Sequence, residues 1–304
     1  MDYYSDDIFD GRLDSSERGP LLVQTLPVAG DERPAPAGRQ VLLPAALFVA
    51  TCLSTYHVGG LAYAVPVMLI LTTHELGHFF QALRYRVPAS LPFFIPMPVP
   101  PVGTMGAVIG MQAHVGDRKA LYDIGITGPL AGLVPAIICS IVGLQWSHVE
   151  IVNHGAAEHV KFISLGEPLL FKLLSHLTFG PLNEGQDVIL HPLAFAGWVG
   201  IFITGLNLIP IGQLDGGHVL YALLLRRAHR IALFLIFAAT FAMFVFQYWG
   251  WSLMLMLLFW TGPRHPPTAD DGVPLGRGRI VLGWLTLAFV LIGFTPEPFN
   301  FGNP

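Results

Sequence analysis

The chain has 304 residues and a formal net charge of −4, with 53% hydrophobic and 12% charged residues. Soluble globular proteins carry about 25% charged residues, so this composition and its long apolar runs favour a protein that lies largely in the lipid bilayer. The charge provides no basic surface, and we therefore expect no nucleic acid partner.

The N-terminal segment differs from the rest of the chain. Residues 1–40 are rich in Asp, Pro, Gly and Ser and have no sustained periodicity, which predicts a flexible cytoplasmic tail. They contain no basic region followed by an apolar one, so we expect no cleaved signal peptide. Residues 41–299 are predicted to form one polytopic membrane domain, because no loop between the apolar stretches is long enough for a typical separate domain.

Seven apolar stretches follow the tail. A membrane-spanning helix needs about 20 apolar residues. The sixth stretch is shorter, so it forms either half of a tight hairpin near Gly250 or an extension of the span before it. The sequence predicts an all-α polytopic membrane protein with six or seven transmembrane helices. The stretches are 41–57, 61–83, 120–146, 191–211, 231–249, 251–261 and 280–294.

Basic residues indicate the orientation of these spans. With a cytoplasmic N-terminus, every Lys and Arg except Lys161 and Lys172 falls on the cytoplasmic side, as the excess of positive charge in cytoplasmic loops predicts. The loop 147–190 then lies on the opposite side. We expect a multi-pass integral membrane protein, and its compact build favours the inner membrane of a bacterial cell.

Residues 88–112 are apolar but cannot form an ordinary helix. Six prolines and three glycines interrupt this segment, and proline removes a hydrogen-bond donor and breaks helical turns. Non-helical backbone at membrane depth is tolerated only where it is buried in protein or lines a water-filled cavity. We therefore predict a membrane-embedded, extended, β-hairpin-like insertion that lines a site. A loop lying on the lipid headgroups is the alternative.

The strongest chemical signal is the motif His74-Glu75-Leu76-Gly77-His78 in the second stretch. Positions i and i+4 of a helix share one face, so His74 and His78 can hold one metal ion while Glu75 reaches a water molecule as general base. Ionisable groups in a membrane segment cost about 2.5 to 3.5 kcal/mol each, and a divalent cation would compensate for them. The alternative is a polar cluster that reaches for water at a helix end.

A third metal ligand is expected at Asp215. Catalytic zinc takes three protein ligands and leaves a fourth position for water. Pro210 and Gly212 break the helix before Asp215, and Gly216 and Gly217 allow close approach of the backbone to other elements. Asp is also a favoured N-cap, so capping of a helix that starts at Gly216 is the alternative, and both roles can coexist.

Asn207 and His218 flank Asp215 in the sequence. Asn207 is a candidate catalytic residue, because a buried amide can donate a hydrogen bond to a developing oxyanion; helix packing is its other role. His218 could support the metal site, polarise a tetrahedral intermediate, or lie passively at a helix interface. The sequence leaves these alternatives open.

Small residues at four-residue spacing predict close helix packing in a membrane. Gly128 and Gly132 form such a pair in the third stretch, and Ala196, Gly200 and Thr204 form a series in the fourth. We expect these residues to serve the site indirectly, by letting the helices approach.

Three motifs in this order resemble the site-2 protease family of intramembrane zinc metalloproteases, the M50 type. They are the HELGH motif, the run 128–132 (GPLAG) and the motif Asn207…Pro210…Leu214-Asp215-Gly216. The resemblance covers residues 60–228, the predicted catalytic core. It implies His74, His78 and Asp215 as ligands of zinc (Zn2+) and Glu75 as catalytic base. The runs 265–267 (HPP) and 294–299 resemble a bacterial and plastid-related subgroup.

The resemblance implies regulated intramembrane proteolysis. The expected activity is zinc-dependent endopeptidase cleavage of membrane-anchored proteins within or near their transmembrane segments, with an anti-sigma factor-like protein or a remnant signal peptide as substrate. Many relatives carry a PDZ or CBS domain, and we expect a compact form with neither. A pseudoprotease is one alternative. A metal or proton transporter is another, although its usual inverted repeat of broken helices has no second copy to match the break at 210–217.

Overall fold

The computed structural model describes residues 37–112, 115–151, 164–183 and 185–300. The predicted N-terminal tail therefore lies almost wholly outside the described residues, and α1 begins at Ala37, inside the predicted tail. A 3-10 turn at Trp249–Trp251 precedes α8. The helices within the described ranges are α1 (Ala37–Gly59), α2 (Leu61–Arg84), α3 (Arg118–Gln145), α4 (Leu169–Phe179), α5 (Pro192–Asn207), α6 (Asp215–Leu224), α7 (Arg227–Phe246), α8 (Ser252–Thr261), α9 (Arg277–Ala288) and α10 (Val290–Gly293).

Helix α3 is central, because it packs against α2, α5 and α6. Small residues make these contacts close. A Cβ atom built on Gly200 of α5 would lie 2.7 Å from Cβ of Ala136 in α3 and 2.9 Å from Ile70 in α2. The core between α2, α3 and α5 is apolar and includes the fully buried side chains of Tyr63 and Trp198. Small residues thus allow close contacts between α5, α3 and α2, as their four-residue spacing predicts.

Among the residues that the structure describes, three helices are long and apolar enough to cross a membrane, namely Val41–Gly59 within α1, α3 and α7, while α4, α5 and Trp249–Thr261 are shorter apolar helices. These candidates support a mostly helical membrane protein. Helix α2 has 24 residues, but the ionisable side chains of its motif lower its hydropathy. The expected total of six or seven spans stays a prediction.

The protein is not purely helical, which corrects the all-α expectation. The described residues contain three two-stranded antiparallel sheets. The first joins two strands within 88–112, where prolines and glycines exclude a helix; whether this pair lies in a membrane stays a prediction. The pairs are β1 (Phe93–Pro96) with β2 (Thr104–Val108), β3 (His148–Ile151) with β5 (Gln186–Ile189), and β4 (Ser164–Leu165) with β6 (Phe299–Asn300).

The turn after β1 is tied to α1 and α2. Ser54 Oγ donates a hydrogen bond to the carbonyl oxygen of Gly103 at 2.6 Å, and the Tyr63 hydroxyl donates to the carbonyl of Val102 at 2.5 Å. Both donors are buried. These bonds fix one end of the β1–β2 pair against the helices that precede it.

Residues 262–276 connect α8 to α9, and we call them the connecting segment. Its backbone bonds to the residues that lead into α3, since Arg118 N donates to the carbonyl of Asp270 at 3.0 Å and Ala269 N donates to that of Gly116 at 2.9 Å. Arg118 Nε also donates to the carbonyl of Ala222 at the end of α6, at 2.6 Å. The connecting segment is thereby held beside α3 and α6.

Candidate active site

Helix α2 presents the HELGH motif on its inner face. His74, Glu75 and His78 are 3%, 4% and 8% exposed, as their helical spacing towards α3 requires. The helix continues to Arg84, so the three polar side chains lie inside its second half and not at a frayed end. The alternative of a polar cluster that reaches for water at a helix end is therefore wrong.

Asp215 lies at the first position of α6. Helix α5 ends at Asn207, and the turn through Pro210 and Gly212 leads to Leu214, which is the N-cap of α6. Asp215 is therefore not the N-cap, and the alternative capping role is wrong. The two following glycines permit this tight turn, because a Cβ at Gly216 would lie 1.9 Å from the carbonyl oxygen of Leu208.

The turn brings Asp215 onto both histidines. Asp215 Oδ2 lies 3.1 Å from His74 Nε2, and Oδ1 lies 3.3 Å from His78 Nε2. One ligand atom from each of the three residues lies within 4.8 Å of the others, so the cluster could hold a metal ion. It is the one such cluster of three or more His, Cys, Asp or Glu residues in the part of the chain that the structure describes.

The hydrogen bonding of His78 suits a metal ligand. His78 Nδ1 lies 2.8 Å from the carbonyl oxygen of Ile124. A carbonyl oxygen only accepts hydrogen bonds, so Nδ1 carries a proton, which leaves Nε2 as the nitrogen that would bind a metal beside Asp215. A backbone carbonyl behind a histidine is the usual way of fixing a ligand tautomer. Two nitrogens and a carboxylate are a zinc-type donor set, and the residues present therefore fit the metal.

Gly128 makes room for His78. A Cβ built on Gly128 of α3 would lie 2.1 Å from His78 Nε2, and one on Gly132 would lie 2.8 Å from Cβ of His74. The pair predicted to serve helix packing therefore lies directly against the two histidines. Its spacing matches theirs because both helices place positions i and i+4 on one face.

Glu75 opens onto a cavity of about 130 Å³ beside the cluster. No hydrogen bond to its carboxylate is formed by any described residue, and no unpaired buried side-chain oxygen or nitrogen occurs among them. Its oxygens are therefore open to the cavity. Ala107, Val108 and Ile109 also line this cavity.

Asn207 and His218 line the same cavity. Asn207 Nδ2 lies 3.5 Å from His74 Nε2, at the limit of a hydrogen bond. His218 Nδ1 lies 2.6 Å from His265 Nε2 in the connecting segment. The structure thus brings together all five predicted site residues and His218, while their roles stay predictions.

The contribution of the connecting segment is not apparent from the sequence. His265 contacts His218, and Asp271 accepts a hydrogen bond from the Tyr221 hydroxyl at 2.8 Å. Burial raises the pKa of Asp271, but hydrogen bonds from Thr268 and Tyr221 outweigh it, so the pKa lies below its ordinary value. The run 265–267 (HPP) is the sequence feature that marks this segment, and on its own it indicates only a resemblance to a subgroup.

These observations define a class of protein. A metal-binding cluster built from HELGH and a distant aspartate, with a free glutamate beside it, lies among helices of membrane-spanning character. A family model described as Peptidase family M50 matches residues 62–247. The chain belongs to this family, and the resemblance to the site-2 proteases is confirmed.

Curated relatives support the same assignment. The chain is 31% identical over 255 residues to "Probable zinc metalloprotease EGY2, chloroplastic" of Arabidopsis thaliana, covering 80% of this chain and 43% of the relative. It is 37% identical over 188 residues to "Probable zinc metalloprotease EGY1, chloroplastic" of Oryza sativa subsp. japonica, and the match covers 61% of this chain and 30% of that relative. The chain thus spans less than half the length of these relatives. No solved structure matches it.

The names of these relatives bear on location. Both are described as chloroplastic plant proteins, so the comparisons do not support the expected inner membrane of a bacterial cell. The candidate spans support the coarser statement that this is a membrane protein.

Proposed function

We propose that this protein is a zinc-dependent endopeptidase that cleaves membrane-anchored proteins within or near their transmembrane segments. One observation carries the proposal: the carboxylate of Glu75 opens onto the same cavity as the cluster of His74, His78 and Asp215. A free carboxylate beside a metal-binding cluster is the arrangement that metal-assisted peptide hydrolysis needs.

His74, His78 and Asp215 would hold the zinc ion. Each provides one ligand atom, and three protein ligands are the number usual in catalytic zinc sites. When bound, zinc supplies Lewis-acid activation of water and of a peptide carbonyl. The names of the curated relatives describe zinc metalloproteases, which supports zinc over other divalent metals.

Glu75 is the general base. Its oxygens accept the proton of the attacking water and later deliver it to the departing amine, as a carboxylate at a cavity wall can. Burial among α2, α3 and α6 excludes bulk water from the reaction and strengthens electrostatic interactions there. Asn207 acts as a hydrogen-bond donor to the oxyanion that develops on the peptide carbonyl.

Strand β2 is the dock for the substrate. Ser90 N donates to the carbonyl of Gly110 at 2.8 Å, and Gly110 N donates to Ser90 Oγ at 2.9 Å. Because hydrogen-bonding sides alternate along an antiparallel strand, Ile109 directs its backbone groups away from Ser90, and the segment 107–109 is the edge that receives the substrate. This free edge borders the cavity. An unwound substrate segment adds to it as a further strand.

The substrate is a protein anchored in the lipid bilayer, with anti-sigma factor-like proteins and remnant signal peptides as the classes to test first. Residues 41–299 form the membrane domain and residues 60–228 its catalytic core, with six or seven spans and the N-terminus in the cytoplasm. The candidate spans in α1, α3 and α7 support a site at membrane depth.

The proposal is tested with the purified protein in proteoliposomes that contain a membrane-anchored reporter. Wild type is expected to cleave the reporter at its transmembrane segment. Glu75→Gln is expected to cleave it roughly 10²–10⁴ times more slowly, the usual contribution of a general base. Cleavage by Glu75→Gln at the wild-type rate would contradict the assignment of the base. A wild type that binds the reporter without cutting any candidate substrate would favour the pseudoprotease alternative.

A further inference from the structure

A pair of histidines joins the cavity to the connecting segment. His218 Nδ1 lies 2.6 Å from His265 Nε2, and the two rings meet edge to face with centroids 4.8 Å apart. His265 is 4% exposed, and its Nδ1 lies 2.6 Å from the carbonyl oxygen of Pro266. These three groups form a continuous chain of hydrogen bonds.

The hydrogen bonds in this chain all run in one direction, from His218 through His265 to the carbonyl oxygen of Pro266. The carbonyl oxygen of Pro266 can only accept, so Nδ1 of His265 carries a proton. Burial lowers the pKa of His265, which favours the neutral ring, and Nε2 of the neutral ring is an acceptor. His218 Nδ1 must therefore donate to it. The remaining nitrogen of a neutral His218, Nε2, then carries a lone pair and no proton.

The lone pair of His218 is available inside the cavity. His218 lines the cavity with Glu75 and Asn207. Its Nε2 has no hydrogen-bond partner among the described residues, and no unpaired nitrogen there is sealed from solvent. The cavity thus offers a hydrogen-bond acceptor to whatever enters. An extended peptide presents backbone N–H groups, which are donors.

We propose that His218 accepts a hydrogen bond from a backbone N–H of the substrate beside the scissile bond, and that His265 is the positioning residue that holds His218 in this tautomer and orientation. The inference rests on the proposed function, since it requires a peptide in the cavity. It also excludes one role considered from the sequence, because a neutral His218 without a proton on Nε2 cannot polarise an oxyanion.

The surroundings of His265 hold its ring in place. Tyr221 of α6 stacks on His265 with centroids 4.6 Å apart and an interplanar angle of 24°. The backbone nitrogen of His265 donates to His229 Nε2 at 3.3 Å. The Tyr221 hydroxyl donates a hydrogen bond to Asp271. The bond between Tyr221 and Asp271 that anchors the connecting segment is therefore a different bond from the one between His218 and His265.

Two substitutions of His265 distinguish its role as a hydrogen-bond acceptor from its role in packing. His265→Phe keeps an aromatic ring on Tyr221 but removes the acceptor, whereas His265→Gln places a carbonyl oxygen near the position of Nε2. In the proteoliposome assay, His265→Phe is expected to lower kcat/KM about tenfold or more, since an unpaired buried donor is costly, and His265→Gln to restore most of it. Tyr221→Phe is the matched control, because it loosens the segment and leaves the pair intact.

The state of His218 is read directly from 15N spectra of histidine-labelled protein, with His218→Gln identifying the signals. We expect a protonated Nδ1 and an unprotonated Nε2 in wild type and Tyr221→Phe, and a mixture of tautomers in His265→Phe. A proton on Nε2 in wild type, or equal kcat/KM for His265→Phe and wild type, would overturn the inference. If wild type cleaves nothing, the proposed function fails, while the spectra still decide the polarity of the pair.

Discussion

His74 Nε2 lies 3.1 Å from Asp215 Oδ2, although the two residues are 141 positions apart in the chain. Helix α2 carries the histidine, and the turn between α5 and α6 carries the aspartate. Two nitrogen donors and a carboxylate converge here in the part of the molecule with the closest helix contacts. The site therefore depends on the small residues that allow those contacts, and this dependence can be measured.

Replacing Gly128 with alanine is expected to abolish metal binding. The new methyl group would lie 2.1 Å from His78 Nε2, so His78 must leave its position. Overpacking of this kind also costs about 1–3 kcal/mol of folding free energy. The matched control is Gly278→Ala in α9, where nothing lies within 4 Å. Metal content and thermal unfolding are measured for both variants, and full metal binding by Gly128→Ala would contradict the described position of His78.

Removing Arg279 is expected to destabilise the protein. Arg279 Nε and one terminal nitrogen bond to the two carboxylate oxygens of Asp123 at 2.7 and 2.8 Å, which ties α9 to α3. The Tyr85 hydroxyl bonds to the same carboxylate. Asp123 is only 13% exposed, so Arg279→Met should cost about 1–3 kcal/mol. The loss of stability for Arg279→Lys should lie between that of Arg279→Met and zero, because lysine cannot form two parallel hydrogen bonds to one carboxylate.

The control for this prediction is an exposed polar pair in the same protein. His148 and Glu150 lie 3.0 Å apart and are 62% and 59% exposed. Glu150→Gln should change the unfolding temperature little, since exposed pairs contribute about 0–1 kcal/mol. Equal losses for Arg279→Met and Glu150→Gln would mean that the bond between α3 and α9 does not stabilise the fold.

Proline at the free edge of β2 is expected to stop substrate docking. Ala107→Pro and Ile109→Pro each remove a backbone N–H from the segment that lines the cavity, so an added strand loses a hydrogen bond. Cleavage in proteoliposomes should fall while metal content stays at the wild-type level. Ile109→Ala keeps the N–H and serves as control. Unchanged cleavage by both proline variants would count against docking by strand addition.

The short-range part of the site could be predicted from the sequence. His74, Glu75 and His78 follow from helical periodicity, and the break at Pro210 and Gly212 placed Asp215 after a helix. Asn207 was found for the same reason. These positions depend on local backbone geometry, which sequence patterns report directly.

Two other contacts between distant segments could not be predicted. His265 contacts His218 although the two are 47 positions apart in the chain. Arg279 contacts Asp123 although the two are 156 positions apart. No periodic pattern in the sequence indicates either contact. The loop 147–190 contains an unpredicted apolar helix, α4, and strands of two sheets, because pairing between short strands is decided by tertiary packing. The last apolar stretch, 280–294, is divided into α9 and α10 at Phe289.

Metal content of the purified protein tests the central claim most directly. It is measured for wild type, Asp215→Ala and Glu75→Gln. The account predicts about one zinc per chain in wild type and in Glu75→Gln, and its loss in Asp215→Ala, since three protein ligands define the site. A wild type without zinc, or an Asp215→Ala variant that keeps it fully, would contradict the proposed ligand set.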